Sequence, residues 1–319
     1  MKKLLIILLA ACLAFAGCTR KGAEETAPSA EPSAVPDAVD ETPDIEAAFC
    51  RACVYYLSDD GFLVPVTKRI PREEGIASAV LKLMVSDPVN VSEAKEMGLS
   101  TVIPMGTSMT ISIADGNALV DLISMPALPT PEEELAMVKA IVNTLCCFPT
   151  INTVTLTREG SGGVLENGTE LPVRQPEYEL NPEIDELSAS TGAAPVTLYY
   201  PNSSGALFVP VTRYLGAEPN IYSVAAALID GPKDAAMLRC FPNDTLLLGA
   251  TLENGVLILN LSQDFARTAQ TEGLYSLCYK AAWLTLSQQN RFSKLRFQVN
   301  GRDFEPEAAI PPADINEVP

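Results

Sequence analysis

The same series of motifs occurs twice along this chain, and this internal repeat constrains the fold more than any other feature. Each copy begins with a tyrosine pair and a Val-Pro-Val-Thr segment that ends in a basic residue. An apolar run, an Asp-Gly or Asn-Gly turn and a Thr-Leu pair then follow in the same order. The repeat predicts two tandem copies of one domain, which we place at residues 49–160 and 195–308.

The first 18 residues have the pattern of a bacterial lipoprotein signal. Two lysines precede an apolar run that is too short to span a bilayer of about 30 Å, and small residues lead up to Cys18. The Ala-Gly-Cys ending resembles a lipobox, whose cysteine becomes the acylated mature N-terminus. An ordinary signal peptide with an incidental cysteine is the alternative. We predict a signal peptide at 1–18, lipidation of Cys18 with chains such as palmitate, and anchoring to the extracytoplasmic face of the cell membrane.

Most of the negative charge lies outside the two predicted domains. The net charge is −18; residues 19–48 contain two Lys/Arg against eight Asp/Glu, and residues 161–194 contain one against seven. Such polar segments bury too little apolar surface to offset their ordering entropy. We therefore expect a disordered acidic tether at 19–48, a mobile acidic linker at 161–194 and a flexible tail at 309–319. Nucleic acid is not an expected partner, because no basic patch could neutralise phosphates.

Each copy has the pattern of a small α+β domain. Two strands open it, and the apolar run after them has the spacing of a helix with one buried face. Asp115-Gly116 and Asn254-Gly255 each lie between alternating apolar runs, which is a strong hairpin signal because both turn residues must accept positive φ. A second helix and a last strand complete the order ββαββαβ. This order predicts an antiparallel-rich sheet with helices on one face.

Several of these motifs resemble the sporulation and spore germination domain, GerMN. They are the tyrosine pair, the Val-Pro-Val segment, the Thr-Leu pair and, in the second copy, Gly231-Pro232, the Asn-Leu-Ser-x-x-Phe run from Asn260 to Phe265, and Val299-Asn300-Gly301. A lipoprotein signal followed by two such domains resembles the architecture of GerM-like lipoproteins. The resemblance implies a role in sporulation or germination of a spore-forming bacterium, with other envelope or sporulation proteins as partners.

The sequence offers little catalytic apparatus. It contains no histidine, which excludes Ser-His-Asp and Cys-His nucleophile systems and removes the commonest zinc ligand. Asp121 of the first copy is replaced by Asn260 in the second, and Asp264 has no counterpart in the first, so no carboxylate pair is repeated. What the copies share sets packing and backbone geometry. We therefore predict no enzyme activity, no catalytic residue and no cofactor.

The repeated tyrosines and basic residues are the candidate partner contacts. Neighbouring side chains on a strand point to opposite faces, so one tyrosine of each pair is expected to pack inward and the other to face outward. Tyrosine and arginine are enriched at protein interfaces. The candidates are Tyr55, Tyr56, Lys68, Tyr199, Tyr200 and Arg213.

Six cysteines remain after the signal and Cys18, and their state is open. Cys50 and Cys53, with Cys146 and Cys147, have the number and spacing of a four-thiolate zinc site if the first strand begins near the end of the second helix. A disulfide within the first copy is a second interpretation. Free thiols are the third, and we predict no metal. Cys278 lies on an apolar helical stripe, as expected of a small core residue.

Two classes of function remain after these exclusions. The first is a scaffold or binding module, a tethered pair of domains that docks other envelope proteins. The second is a cell-wall or small-ligand binding lipoprotein, accessory to peptidoglycan remodelling. A flexible linker would suit either, because it lets two modules engage separate sites.

Overall fold

The computed structural model describes residues 48–185, 188 and 192–318. The predicted signal peptide, Cys18 and nearly all of the predicted tether lie outside these residues. Within the described residues, no helix has the length and apolarity needed to cross a membrane.

The first repeat places two hairpins around its longest helix. Its elements are β1 (Phe49–Ser58), β2 (Leu63–Pro71), α1 (Ile76–Lys82), α2 (Pro88–Glu96), β3 (Leu99–Ser100), β4 (Ser108–Ala114), β5 (Asn117–Ile123), α3 (Pro131–Cys146) and β6 (Thr153–Arg158). Strands β1 and β2 are antiparallel, as are β4 and β5, whereas β6 runs parallel to β5. Helix α3 packs against both β1 and β6 and so joins the two sheets.

The second repeat follows the same plan. Its elements are β7 (Ala194–Pro201), β8 (Phe208–Leu215), α4 (Ile221–Ile229), β9 (Leu247–Glu253), β10 (Val256–Leu261), a 3₁₀ helix (Gln263–Gln270), α5 (Leu274–Leu286), β11 (Lys294–Val299), β12 (Arg302–Asp303) and β13 (Glu317–Val318). Again β9 and β10 are antiparallel and β11 is parallel to β10. The tandem α+β architecture predicted from the repeat is therefore confirmed, with α2 and β3 as additions in the first copy.

Local sequence explains where the main elements begin and turn. Helix α3 starts at Pro131 because the Thr130 side chain accepts a hydrogen bond from the backbone N–H of Glu133 at 3.2 Å. Asp115 and Asn254 have φ values of 50° and 51°, and the glycine after each also has positive φ. Both hairpins therefore contain the left-handed turn that the Asp-Gly and Asn-Gly pairs predicted.

Residues 161–185, which make up most of the predicted mobile linker, make defined contacts with the first repeat. Leu165, Leu171 and Leu180 are buried. The Asn143 side chain of α3 both donates to the backbone oxygen of Tyr178 and accepts from its backbone N–H, at 2.9 and 2.8 Å. Backbone groups of Pro172 and Gln175 also bond to β6, so this part of the predicted linker is held against α3 and β6, which composition alone does not reveal.

The flexible tail predicted at 309–319 is also corrected by the structure. Within it, β13 pairs with β2 of the first repeat in parallel, with Glu317 opposite Thr67. Asp314 adds an ion pair with Arg51 at 2.7 Å. The last described residues therefore belong to the sheet of the first repeat, although they follow the second repeat in sequence.

Candidate functional site

Two short segments hold the repeats together, and we call them straps. The first strap, residues 180–183, follows the first repeat but bonds to β8 of the second: Thr212 donates its N–H to Leu180 and accepts from Glu183, both at 2.8 Å. The second strap, residues 315–318, follows the second repeat but pairs with β2 of the first. Each repeat is therefore completed by the segment that follows the other repeat.

One asparagine in each strap makes an equivalent set of hydrogen bonds. The Asn181 side chain accepts from the N–H of Leu63 at 2.9 Å and donates to the carbonyls of Leu63 and Pro210 at 2.9 and 2.7 Å. The Asn316 side chain accepts from the N–H of Phe208 at 2.7 Å and donates to the carbonyls of Phe208 and Pro65 at 2.8 and 2.7 Å. Each side chain thus bridges β2 and β8.

The backbone at these two asparagines is also equivalent. Asn181 and Asn316 have φ values of 45° and 48°. This left-handed conformation is one that asparagine tolerates better than most residues. Position and conformation together show that the seam between β2 and β8 has an approximate twofold relation.

A groove of about 440 Å³ opens along this seam. Its apolar lining comes from both repeats and consists of Phe62, Leu63, Leu135, Ala136, Val211 and Met237. Charges of both signs lie around it, among them Glu132, Lys139, Glu179 and Lys233. Leu135, on the open side of α3, keeps 43% of its surface exposed. Sequence reasoning missed the groove because two repeats and a strap build it jointly.

Both tyrosines of each pair are buried, which contradicts the expectation that one would face outward. Tyr55, Tyr56, Tyr199 and Tyr200 are each at most 4% exposed. Tyr200 donates its hydroxyl to the carbonyl of Ala227 in α4 at 3.0 Å. Tyr55 and Tyr199 lie near each other and near Glu177, and burial raises the pKa of both phenols. The outward face is covered because each hairpin packs on the other repeat.

The tyrosine pair and the Thr-Leu pair are repeated together for one structural reason. The backbone N–H of Tyr55 donates to the Thr144 hydroxyl at 3.1 Å, and that of Tyr199 donates to the Thr285 hydroxyl at 3.0 Å. Each bond ties the first strand, on the edge that faces away from its hairpin partner, to the end of the long helix. The buried N–H would otherwise lack a partner there.

Lys68 and Arg213 are buried cations, not exposed partner contacts. Lys68 pairs with Glu93 of α2 at 2.6 Å, and Arg213 pairs with Glu183 of the first strap at 2.6 Å. Arg213 also donates to the carbonyls of Ala227 and Gly231 at 2.7 and 2.9 Å. Their burial, with that of the tyrosines, removes all six candidates from the accessible surface. Their charges are paired with acids of the same chain.

The acids considered for catalysis have structural partners. Asp121 accepts from the Thr157 hydroxyl at 2.7 Å and from the N–H of Gly160 at 2.8 Å. Asn260 likewise accepts from the N–H of Gly301 at 2.8 Å. In each repeat this side chain therefore accepts a hydrogen bond from a glycine in the turn after the last strand. Asp264 pairs with Arg267 on the surface at 2.9 Å.

The cysteines do not form the four-thiolate arrangement that spacing allowed. Among the residues that the structure describes, no group of three or more His, Cys, Asp or Glu side chains could hold a metal ion. Cys50 instead lies against the carbonyl of Ile70 at 3.6 Å. Burial raises the pKa of the Cys146 thiol to about 11, so this thiol stays protonated at neutral pH.

Comparison with known families identifies the two repeats. The family described as "Germane: Sporulation and spore germination" matches residues 53–163 and 197–305, which is more than half of the chain. The chain belongs to the Germane family. The second segment lies within the predicted domain 195–308, and the first overlaps the predicted domain 49–160 and extends three residues beyond it. The resemblance to GerMN is confirmed.

A solved structure of tandem GerMN domains has the same fold. The tandem GerMN domains of the sporulation protein GerM from Bacillus subtilis are similar to this chain with a TM-score of 0.67 and 22% identity, over 84% of this chain and 99% of that chain. The first GerMN domain of the same protein alone matches with a TM-score of 0.37 and 25% identity, over 40% of this chain and 97% of that one. A comparison with curated proteins gave no match. At 22% identity, the similarity to the tandem GerMN structure establishes the fold of this chain and nothing further.

Proposed function

We propose that this Germane protein is a non-enzymatic lipoprotein, anchored through Cys18 to the outer face of the cytoplasmic membrane. It would act as a scaffold or binding module in an envelope complex for sporulation or spore germination. The observation that carries the proposal is the match of both repeats to one sporulation and germination family. The family description names a developmental process and no reaction.

The roles of the repeated residues support a non-enzymatic function. The shared tyrosines, the shared threonines and the basic residues all hold elements together. Asp121 and Asn260 bond to the N–H groups of turn glycines, and the chain lacks histidine. The positions that both copies share therefore stabilise the fold.

The groove at the seam is our proposed docking site, and the proposed occupant is an extended segment of another envelope protein. Phe62, Leu135 and Met237 give it an apolar floor, and aromatic and methionine side chains are enriched in the cores of protein interfaces. The rim carries Glu132 and Lys139, so it complements a segment with both signs of charge rather than a uniformly charged polymer.

A cell-wall or small-ligand binding role, accessory to peptidoglycan remodelling, is the second candidate. The volume of the groove favours it, because about 440 Å³ lies within the range of small-molecule sites, about 300–1,000 Å³.

Complementation of a gene deletion in the native host tests the proposal. We expect the deletion to lower the yield of heat-resistant spores or their germination, and the wild-type gene to restore it. Leu135→Asp should fail to restore it, because a central contact residue typically contributes about 1–2 kcal/mol, roughly a tenfold change in affinity. The wild-type protein from the complemented strain should carry an acylated N-terminal Cys18 by mass spectrometry.

Val173→Asp is the matched control, since Val173 is 74% exposed and lies outside the groove. It should complement as well as the wild type. Normal spores and normal germination in the deletion strain would overturn the developmental role. Binding of purified peptidoglycan that Leu135→Asp abolishes would favour the second candidate.

A further inference from the structure

Two cysteines that are distant in sequence meet in the first repeat. Cys53 lies on β1 and Cys147 directly follows α3, and the two thiols are neighbours. The bond from the N–H of Tyr55 to the Thr144 hydroxyl, 3.1 Å long, holds the same strand and helix end together. The contact is therefore built into the fold of the repeat.

The second repeat has a cysteine contact of its own, in a different setting. Cys278 donates its thiol to the carbonyl of Cys240 at 3.0 Å. Both of these cysteines are buried, whereas Cys147 is exposed and Cys53 is partly buried. A soluble oxidant can therefore reach the first contact without unfolding and cannot reach the second.

We propose that Cys53 and Cys147 are a disulfide-forming pair, oxidised by a small disulfide such as oxidised glutathione, and that Cys240 and Cys278 stay thiols in the folded protein. The Cys147 thiolate attacks one sulfur of the oxidant and expels the other sulfur as a thiolate. Cys53 then loses its proton to solvent and attacks the Cys147 sulfur, which releases the second half of the oxidant. Two cysteine thiols are oxidised and one oxidant disulfide is reduced to two thiols.

The raised pKa of Cys53 should control the rate of the second step, in which Cys53 attacks the Cys147 sulfur. The neighbouring Cys147 thiol and burial both raise the pKa of the Cys53 thiol. Because the thiolate is the attacking species, closure should be slow at pH 7 and faster as the pH rises.

The cross-link would join β1 to the end of α3 beside the seam, since Tyr199 lies close to both cysteines. It would close a loop of about 90 residues, and long loops gain most from a cross-link because the unfolded chain loses more freedom. The oxidised protein should therefore melt roughly 10 °C above the reduced one.

Peptide mapping after oxidation tests the pair independently of any role in spores. The purified full chain is incubated with oxidised glutathione at pH 8.5, alkylated under native conditions and digested. We expect the Cys53 and Cys147 peptides to be joined, and Cys240 and Cys278 to be alkylated only after denaturation. Cys146→Ser should leave the link and the rise in melting temperature intact, whereas Cys147→Ser should abolish both.

Any of three results would overturn the proposal. The first is recovery of Cys53 and Cys147 as separate alkylated or glutathionylated peptides after oxidation to completion. The second is a link that uses Cys50 or Cys146 in place of a proposed partner. The third is a Cys240–Cys278 link formed without unfolding, which would show that access does not decide which pair reacts.

Discussion

At the scale of single residues, each repeat buries one cation of its second strand and pairs it with an acid, but the two acids differ in exposure. Lys68 and Arg213 occupy equivalent strand positions and each has an acid partner. Glu93, the partner of Lys68, has a side chain that is 50% exposed, whereas Glu183, the partner of Arg213, is only 9% exposed. Burial deprives an ion of water, so the loss of a partner matters most where the partner is buried.

Removing the two acids should therefore have unequal effects. Glu183→Ala leaves the Arg213 charge buried with carbonyl partners alone, and we expect a loss of about 3 kcal/mol in the free energy of unfolding. Glu93→Ala removes a carboxylate that is half-exposed, so water can enter its place and hydrate the Lys68 ammonium, and the loss should be about 1 kcal/mol or less. Urea unfolding of both variants at pH 7 makes the comparison. Equal losses in the free energy of unfolding would contradict the argument that burial of the acid determines the cost of removing it.

The sequence predicted which residues matter at this scale but not what they do. The recurrence of the tyrosines, Lys68 and Arg213 marked them as important. Their exposure could not be predicted, because a strand has two faces and sequence does not say what covers the second one. Here the other repeat covers it, so residues expected to bind a partner bind the protein itself.

At the scale of elements, the straps are the feature that composition concealed. The hairpins and long helices follow from turn chemistry and periodicity, and they were predicted correctly. Each strap is only four residues long and lies in a stretch that composition assigned to a disordered linker or tail. Their order comes from Asn181 and Asn316, whose side chains bridge β2 and β8.

Substitution of Asn181 tests how much a strap contributes. Asn181→Gly keeps the positive φ but removes three side-chain hydrogen bonds, and we expect a loss of about 2–3 kcal/mol. Asn181→Ala should cost about 1 kcal/mol more, because alanine is strained in the left-handed region. Urea unfolding measures both variants. A change below about 0.5 kcal/mol in Asn181→Ala would show that the strap contributes little.

At the scale of the whole molecule, the repeats form one unit and not two modules on a mobile linker. The duplication was evident from sequence, because motif order survives even where identity is low. The joining of the copies was not, because it depends on contacts between residues as far apart as Pro65 and Asn316. The groove exists only in this joined form, so the proposed docking function depends on the straps.

Amide hydrogen exchange tests the joined form most directly. The backbone N–H groups of Leu63, Phe208 and Thr212 each donate to an atom of a strap. If the straps are bound, these amides should exchange at least about a thousandfold more slowly than in an unstructured peptide, in step with the repeat cores. Exchange at unstructured rates while the N–H of Tyr55 stays protected would show two independent domains and contradict the account.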